Sequence, residues 1–363
     1  MDIISIIMLS FAILGAIDRV FNNRLGLGKE FEKGFMLLST LAITMIGMIV
    51  ISPLLAKLLE PCFAFLYNTF KIDPSIITSS LFANDMGGAS LAKEVAKNSD
   101  IGLFNGLVVA SMMGATISFT IPFALGSVSK EKHKELMLGF LCGIVTIPVG
   151  CFFAGLISNI PLGLLLLNLL PLLIFALIVA VGLMYAPQLC IKIFNVLGFI
   201  MKVLITIGLC LGMLEYLIDF KPIKGLASFE EGARICLNGA IVMSGAFPLL
   251  HILSKLLKKP LKKVGTLLNV NEKSTLGFLG TLATSVSTFE MMGEMDSKGA
   301  VLNSAFAVSA AFLLAGHLAF TIAFDAAYLW QMMLGKFISG IFAILFAQIV
   351  YKRIGKNIAN INL

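Results

Sequence analysis

The sequence predicts an all-α polytopic membrane protein, built as an inverted structural repeat with two re-entrant, broken-helix elements and about nine full spans. Three observations carry that expectation: the composition, a series of apolar runs of membrane-crossing length, and short motifs that recur at a nearly constant offset. The 363 residues are 58% hydrophobic and only 13% charged, with a mean hydropathy of +0.99. Soluble domains average about 45–50% apolar and roughly 25% charged residues. Too little polar sequence remains here to cover the apolar surface of a water-soluble fold. Soluble, disordered and coiled-coil-rod proteins are excluded.

Nine runs have the length and apolarity to cross a bilayer, about 20 residues each. They are roughly 3–21, 35–57, 101–126, 135–158, 162–186, 194–218, 234–257, 300–324 and 328–351. The chain starts Met1-Asp2, acidic and without a small-residue cleavage site, so the first run reads as a span and not as a signal peptide. Two stretches, roughly 72–98 and 270–297, are too rich in Gly, Ser, Thr and Asn to face lipid. Irregular backbone at membrane depth is tolerated only when protein or a watery cavity covers it, so both read as re-entrant elements.

Charge sets the orientation. The net charge is +7 and the pI about 9.1, but the basic residues fall in short clusters between apolar runs. That is the bias of cytoplasmic loops, and no nucleic-acid partner is expected. With the N-terminus outside, the cytoplasmic clusters are Arg19–Lys33, Lys130–Lys134, Lys192, Lys255–Lys263 and Lys352–Lys356. The outside segments hold Lys57, Lys71, Lys93, Lys97, Lys221, Lys224 and Arg234, giving sixteen basic residues inside against seven outside. The expected location is the bacterial inner (cytoplasmic) membrane, with the C-terminus cytoplasmic.

The third observation is the repeat. Leu14-Gly15-Ala16-Ile17-Asp18 returns as Leu211-Gly212-Met213-Leu214-Glu215, and Phe31-Glu32-Lys33-Gly34 as Phe229-Glu230-Glu231-Gly232. Lys57-Leu58-Leu59 returns as Lys255-Leu256-Leu257, Phe119-Thr120-Ile121-Pro122-Phe123 as Phe320-Thr321-Ile322-Ala323-Phe324, and Phe140, Gly143 and Ile144 as Phe337, Gly340 and Ile341. The offsets are 197, 198, 198, 201 and 197. Residues 1–158 and 194–363 therefore form two repeats, and 159–193 is a linker span. An odd number of crossings separates equivalent spans, so the halves lie inverted in the membrane. Inverted repeats with interrupted helices are the architecture of secondary transporters, which bind substrate at the repeat interface near the midplane.

The candidate binding residues lie on the two odd stretches and beside them. The first reads Ser79-Ser80-Leu81-Phe82-Ala83-Asn84-Asp85-Met86-Gly87-Gly88-Ala89-Ser90. Gly87 and Gly88 let the backbone leave the helix and approach a ligand. Asp85 is an acid in apolar surroundings, which is costly and usually functional, and Asn84 stands beside it. The second stretch supplies Thr284, Ser285, Ser287 and Glu290. Such a set suits a small cation bearing hydrogen-bond donors, or else forms two polar interfacial loops. His317, opposite Thr116 in the repeat register, titrates near neutrality; it either relays protons or bonds a neighbouring backbone group or hydroxyl. Asp18 and Glu215 read as capping or pairing residues at the membrane surface, and Asp325 as solvated. Lys202 and Lys336 read as snorkelling or carboxylate-paired lysines.

Enzyme chemistry finds no footing. There is no HExxH, GxSxG or GxGxxG. Glu230-Glu231-Gly232-Ala233-Arg234 resembles the paired-glutamate motif of intramembrane CAAX-type proteases, but its Arg is one residue too close and the repeat accounts for it better. The histidines, at 133, 251 and 317, are too dispersed for a zinc motif. The six cysteines contain no CxxC and lie mostly within apolar runs, so neither a disulfide nor a metal site is expected, and no cofactor. Phe (29) and Met (18) are abundant and read as lipid-facing and core packing.

Several of these residues resemble the ethanolamine utilisation transporter family (EutH) over nearly the whole chain. The resemblance rests on Phe31-Glu32-x-Gly34-Phe35, Asp85-Met86-Gly87-Gly88, Leu91-Ala92-Lys93-Glu94 and Gly143-Ile144-Val145-Thr146-Ile147-Pro148. It continues in Gly265-x-Leu267-Leu268-Asn269-Val270-Asn271 and Ala305-Phe306-Ala307-Val308-Ser309-Ala310-Ala311-Phe312. It implies an inner-membrane permease for ethanolamine that feeds ethanolamine ammonia-lyase in a microcompartment. The expected partners are ethanolamine and membrane lipid, and a homodimer is compatible with this reading. The competing class is a secondary transporter of a carboxylate or amino acid. It would want Arg or several free backbone N–H groups at the site, and neither odd stretch contains an Arg.

Overall fold

The computed structural model describes residues 3–256 and 258–354. Leu257 of the repeated Lys-Leu-Leu motif, Lys356 of the last basic cluster and the Met1-Asp2 start lie outside the described residues. The described residues form helices and turns without a strand. In order the helices are α1 (Ile3–Val20), α2 (Leu27–Met36), α3 (Ala42–Phe70), α4 (Ser75–Leu81), α5 (Gly88–Val95), α6 (Ser99–Ser127), α7 (Lys130–Leu156) and α8 (Leu162–Tyr185). They continue as α9 (Pro187–Ile218), α10 (Phe229–Leu256), α11 (Lys258–Leu268), α12 (Glu272–Ala283), α13 (Ser285–Glu290), α14 (Ser297–Ala310), α15 (Gly316–Asp325) and α16 (Leu329–Ile354).

Eight segments are long and apolar enough to cross a membrane, the last being Gly316–Arg353. The protein is a multi-pass membrane protein. The expected span at 300–324 is a broken helix and not a continuous one. Helix α14 stops at Ala310, and the chain turns through Phe312, which has φ 61°, before α15 begins at Gly316. The break is held by the neighbouring α12: the Phe312 and Leu314 N–H groups donate to the Thr281 and Leu282 carbonyls, at 3.1 and 2.8 Å.

Both odd stretches are helical hairpins that return to the end they start from. In the first, Asp73 binds its own helix start and the far end together. Its Oδ1 accepts from the Ser75 N–H (3.0 Å) and hydroxyl (2.6 Å), and its Oδ2 accepts from the Lys97 and Asn98 N–H groups at 2.9 and 3.0 Å. In the second, Asn271 Oδ1 accepts from the Ser274 N–H (2.8 Å) and hydroxyl (2.7 Å), and the Asn271 N–H donates to Asp296 Oδ1 at 2.9 Å. Asn98 then caps α6 through the Ile101 N–H, as Asp296 caps α14 through the Gly299 N–H. These are the side-chain caps that orphan N–H groups at helix starts require, and they recur 198 residues apart.

The spans pack in two groups. One contains α1, α2, α3, α9 and α10, and the other gathers the hairpins around α6, α7, α8, α14 and α16. Close helix contacts in the first group are reciprocal. A Cβ on Gly34 would sit 2.3 Å from the Ser244 N, and one on Gly232 would sit 3.0 Å from the Ile46 Cα. A Cβ on Gly47 would meet the Ile205 carbonyl at 2.0 Å, and one on Gly245 the Met8 carbonyl at 1.9 Å. Each contact is the other shifted by 197 or 198 positions at both ends, the relation that a two-fold axis imposes on an interface. Gly47→Ala and Gly245→Ala are each expected to destabilise the protein by about 1–3 kcal/mol through overpacking against backbone. Gly198→Ala, where no heavy atom lies within 4 Å, is the control and should be neutral or slightly stabilising. Denaturation in detergent micelles checks all three.

Asp18 and Glu215 make the capping and pairing contacts read for them. Asp18 accepts from the Leu25, Leu27 and Gly28 N–H groups at 2.8–3.0 Å, and Glu215 pairs with Lys221 at 2.9 Å and accepts from the Phe229 N–H. Asp325 caps the turn into α16 through the Ala327 N–H, and Lys202 is exposed.

Candidate functional site

The centre of the first hairpin is a short unwound stretch. Phe82 is extended (φ −122°, ψ 135°), Asn84–Met86 form one tight turn, and Gly87 takes φ 100° before α5 starts at Gly88. That φ is the left-handed region that glycine adopts without penalty. Gly88 is required for a different reason: a Cβ there would stand 2.3 and 2.7 Å from the Phe82 and Ala83 carbonyls. The unwound backbone is held from α6, whose Ser118 hydroxyl accepts from the Ala83 N–H at 3.1 Å.

Helix α6 is itself irregular. Asn105–Gly114 and Thr116–Thr120 are wound as π-helix, a form that collects at functional sites. The Asn84–Met86 turn also packs against α15, which carries His317 and Thr321.

Asn84 is fully buried, and neither its Oδ1 nor its Nδ2 has a hydrogen-bond partner. A buried unpaired polar group costs about 1–3 kcal/mol, so an amide with both ends unpaired is an amide held for something else. Asp85 is half-buried and takes part in none of the four ion pairs among the described residues, all of which involve accessible side chains.

The charge that acts on Asp85 is that of Lys336, on α16. Lys336 is 1% exposed, so the snorkelling expected for it is corrected, and it makes no direct ion pair with a carboxylate among the described residues. Its ammonium donates to the Ser111 carbonyl at 2.5 Å and lies 3.1 Å from His317 Nδ1. The Asp85 carboxylate and the Lys336 ammonium are within electrostatic reach of one another. His317, 2% exposed at the start of α15, is thus bonded to an amine, and its ring stands 5.1 Å from that of Phe312. Lys336 is the site residue that the sequence reading did not select. The available signal was its depth, two turns inside α16 and next to Gly335.

The remaining candidates are placed as follows. The Thr116 hydroxyl donates to the Met112 and Val308 carbonyls, at 2.7 and 2.8 Å, so it ties α6 to α14. The second hairpin breaks at Thr284, which is extended (φ −160°, ψ 136°) and caps α13 through the Val286 N–H. The Ser287 hydroxyl donates to the Thr284 carbonyl, while Ser285 is fully buried with its hydroxyl unpartnered. Glu290 is exposed at the end of α13. No hydrogen bond joins Thr284–Glu290 to Asn84 or Asp85 among the described residues. A polar cavity of about 420 Å3 opens along α5, lined by Ser90, Lys93, Glu94, Glu231, Arg234 and Asn238 among others. No group of His, Cys, Asp and Glu suited to a metal ion occurs among the described residues.

Residues 1–350 match the family described as ethanolamine utilisation protein, EutH. The chain is 42% identical to the probable ethanolamine permease EutH of Listeria monocytogenes, over 94% of this chain and 92% of that protein. It is 38% identical to the probable ethanolamine permease EutH of Salmonella typhimurium, over 94% and 93% of the two chains. It is 35% identical to the uncharacterized protein YxeR of Bacillus subtilis, over 94% and 92%. No solved structure matches the chain. The match over nearly the whole length places the chain in the EutH family of ethanolamine utilisation proteins.

Proposed function

We propose that this protein is a permease that carries the ethanolammonium ion across the bacterial inner membrane into the cytoplasm. The observation that carries the reading is the Asn84-Asp85 turn: a half-buried carboxylate without a direct ion pair next to a buried amide with both polar atoms free. Ethanolamine is mostly an ammonium ion at neutral pH and carries a hydroxyl two carbons away. A carboxylate pairs the ammonium, and an amide offers the hydroxyl both a donor and an acceptor. The buried Ser285 hydroxyl is a further contact from the second hairpin, whereas Glu290 faces outward and Thr116 is occupied by backbone. Names of the relatives support the substrate.

The same reading takes residues 1–158 and 194–363 as inverted repeats joined by 159–193, with the N-terminus outside. The reciprocal glycine contacts and the hairpin caps 198 residues apart support it. The function is transport and not catalysis.

One observation favours a second reading. A fully buried ammonium at Lys336 is what a carboxylate or amino-acid transporter would use. Uptake of labelled ethanolamine into proteoliposomes decides between them. Protein-dependent, saturable uptake is expected, suppressed by unlabelled ethanolamine and unaffected by acetate or glycine at the same concentration. Suppression by acetate with no effect of ethanolamine would replace the first reading by the second.

A further inference from the structure

We propose that binding of ethanolammonium at Asp85 expels one proton from the Lys336–His317 pair, so that the protein exchanges its cationic substrate for a proton. The proposal deepens the substrate reading above and rests on it.

A largely buried site tolerates little net charge. Lys336 comes from α16, and the elements packed against it bring few groups that can compensate it. His317 faces it from α15 at 3.1 Å, Cys151 from α7 and Asp85 from the unwound turn are within electrostatic reach, and Ser111 of α6 supplies a carbonyl. Asp85 is the one carboxylate in that set. With the site empty, one anion and one ammonium face each other and the cluster is neutral. A second ammonium, the substrate's, leaves two cations against one carboxylate in a largely buried site, and an uncompensated buried charge is strongly unfavourable.

The geometry supplies a way out. One N–H bond of Lys336 breaks and its electron pair stays on Nζ, giving a neutral amine that still donates to the Ser111 carbonyl. The proton passes to His317 Nδ1, the nearest base, and His317 releases its other ring proton from Nε2. An ion pair of substrate ammonium with Asp85 replaces the longer-range attraction between Asp85 and Lys336. One positive charge has entered and one has left. Release of substrate on the other side of the membrane runs the same steps backwards. The exchange is then electroneutral, with the resident lysine and the substrate alternating as the partner of one carboxylate. A Lys336 that served only to hold α16 to α6 would stay protonated throughout.

The test is calorimetric titration of the detergent-purified full chain with ethanolamine, in buffers of different ionisation enthalpy at one pH. About one proton released per ethanolammonium bound is expected, and the apparent Kd should fall by up to tenfold for each unit that pH is raised in the range where Lys336 carries its proton. Lys336→Arg keeps the cation in a form that cannot deprotonate in a protein; it should release no proton and bind at least tenfold more weakly. Lys336→Met, folded as judged by gel filtration, should still bind ethanolamine and lose the part of the pH dependence that Lys336 sets. Binding by the wild-type chain with no proton released overturns the exchange and leaves the substrate reading intact. Absence of ethanolamine binding overturns both.

Discussion

Asp85→Asn is expected to abolish ethanolamine uptake while the protein still folds and inserts. The substitution keeps the volume of the turn, removes the charge and exchanges one acceptor oxygen for an NH2 donor. Removing one partner of a buried ion pair costs about 3–5 kcal/mol, which corresponds to roughly two to three and a half orders of magnitude in binding. Half-burial of Asp85 places the loss toward the lower figure, so uptake should fall by about 100-fold, to the level of protein-free liposomes. Asp85 also faces Lys336, so the variant leaves a buried ammonium without its counterion. Asp85→Asn combined with Lys336→Met removes both charges and separates the two roles. If Asp85 served only to neutralise Lys336, the double variant would regain transport. We expect it to regain thermal stability and remain inactive. Near-normal uptake by Asp85→Asn alone, measured with monodisperse protein, would demote Asp85 to a structural role.

The parts of this site that could be read in the sequence are those where a local rule is broken visibly. Two adjacent glycines behind an acid and an amide, in a chain this apolar, announce an unwound turn, and the turn is found at Asn84–Gly87. Capping residues at Asp73, Asn98, Asn271 and Asp296 are polar residues at the ends of polar stretches, and their positions follow from the same pattern. The break at Ala311–Ala315 leaves no such trace. Ala311-Phe312-Leu313-Leu314-Ala315 has helical composition, and only tertiary bonds from Thr281 and Leu282 pull it out of the helix. The π-helical winding of Asn105–Gly114 is equally silent, because it changes hydrogen-bond register without demanding a particular residue.

Lys336 was visible but misweighted. A lone lysine in an apolar run has snorkelling as its cheapest explanation, and only the packing of α16 against α6 and α15 closes that route. Glu290, an acid in a polar stretch, stands exposed where α13 ends.

The advantage of the protein over passive leak is expected to grow as pH falls. Lipid admits the neutral amine and excludes the ammonium, because burying an isolated ion in hydrocarbon is far costlier than burying a neutral polar group. Below the amine's own pKa the neutral fraction drops roughly tenfold for each pH unit. Leak into protein-free vesicles at fixed total ethanolamine should therefore fall about 100-fold between pH 7 and pH 5. The species recognised by Asp85 is the ammonium, whose concentration barely changes over that range. With the same pH on both sides of the bilayer no proton gradient drives or opposes exchange. At saturating ethanolamine, proton competition at Lys336 is outrun by substrate. Under those conditions protein-dependent uptake should stay within a few-fold of its neutral value, so its ratio to leak rises by well over an order of magnitude. A ratio that instead grows with rising pH would mean that the carrier handles the neutral amine. Asp85 would then have no ammonium to pair, and the charge logic of the site would fail at its first step.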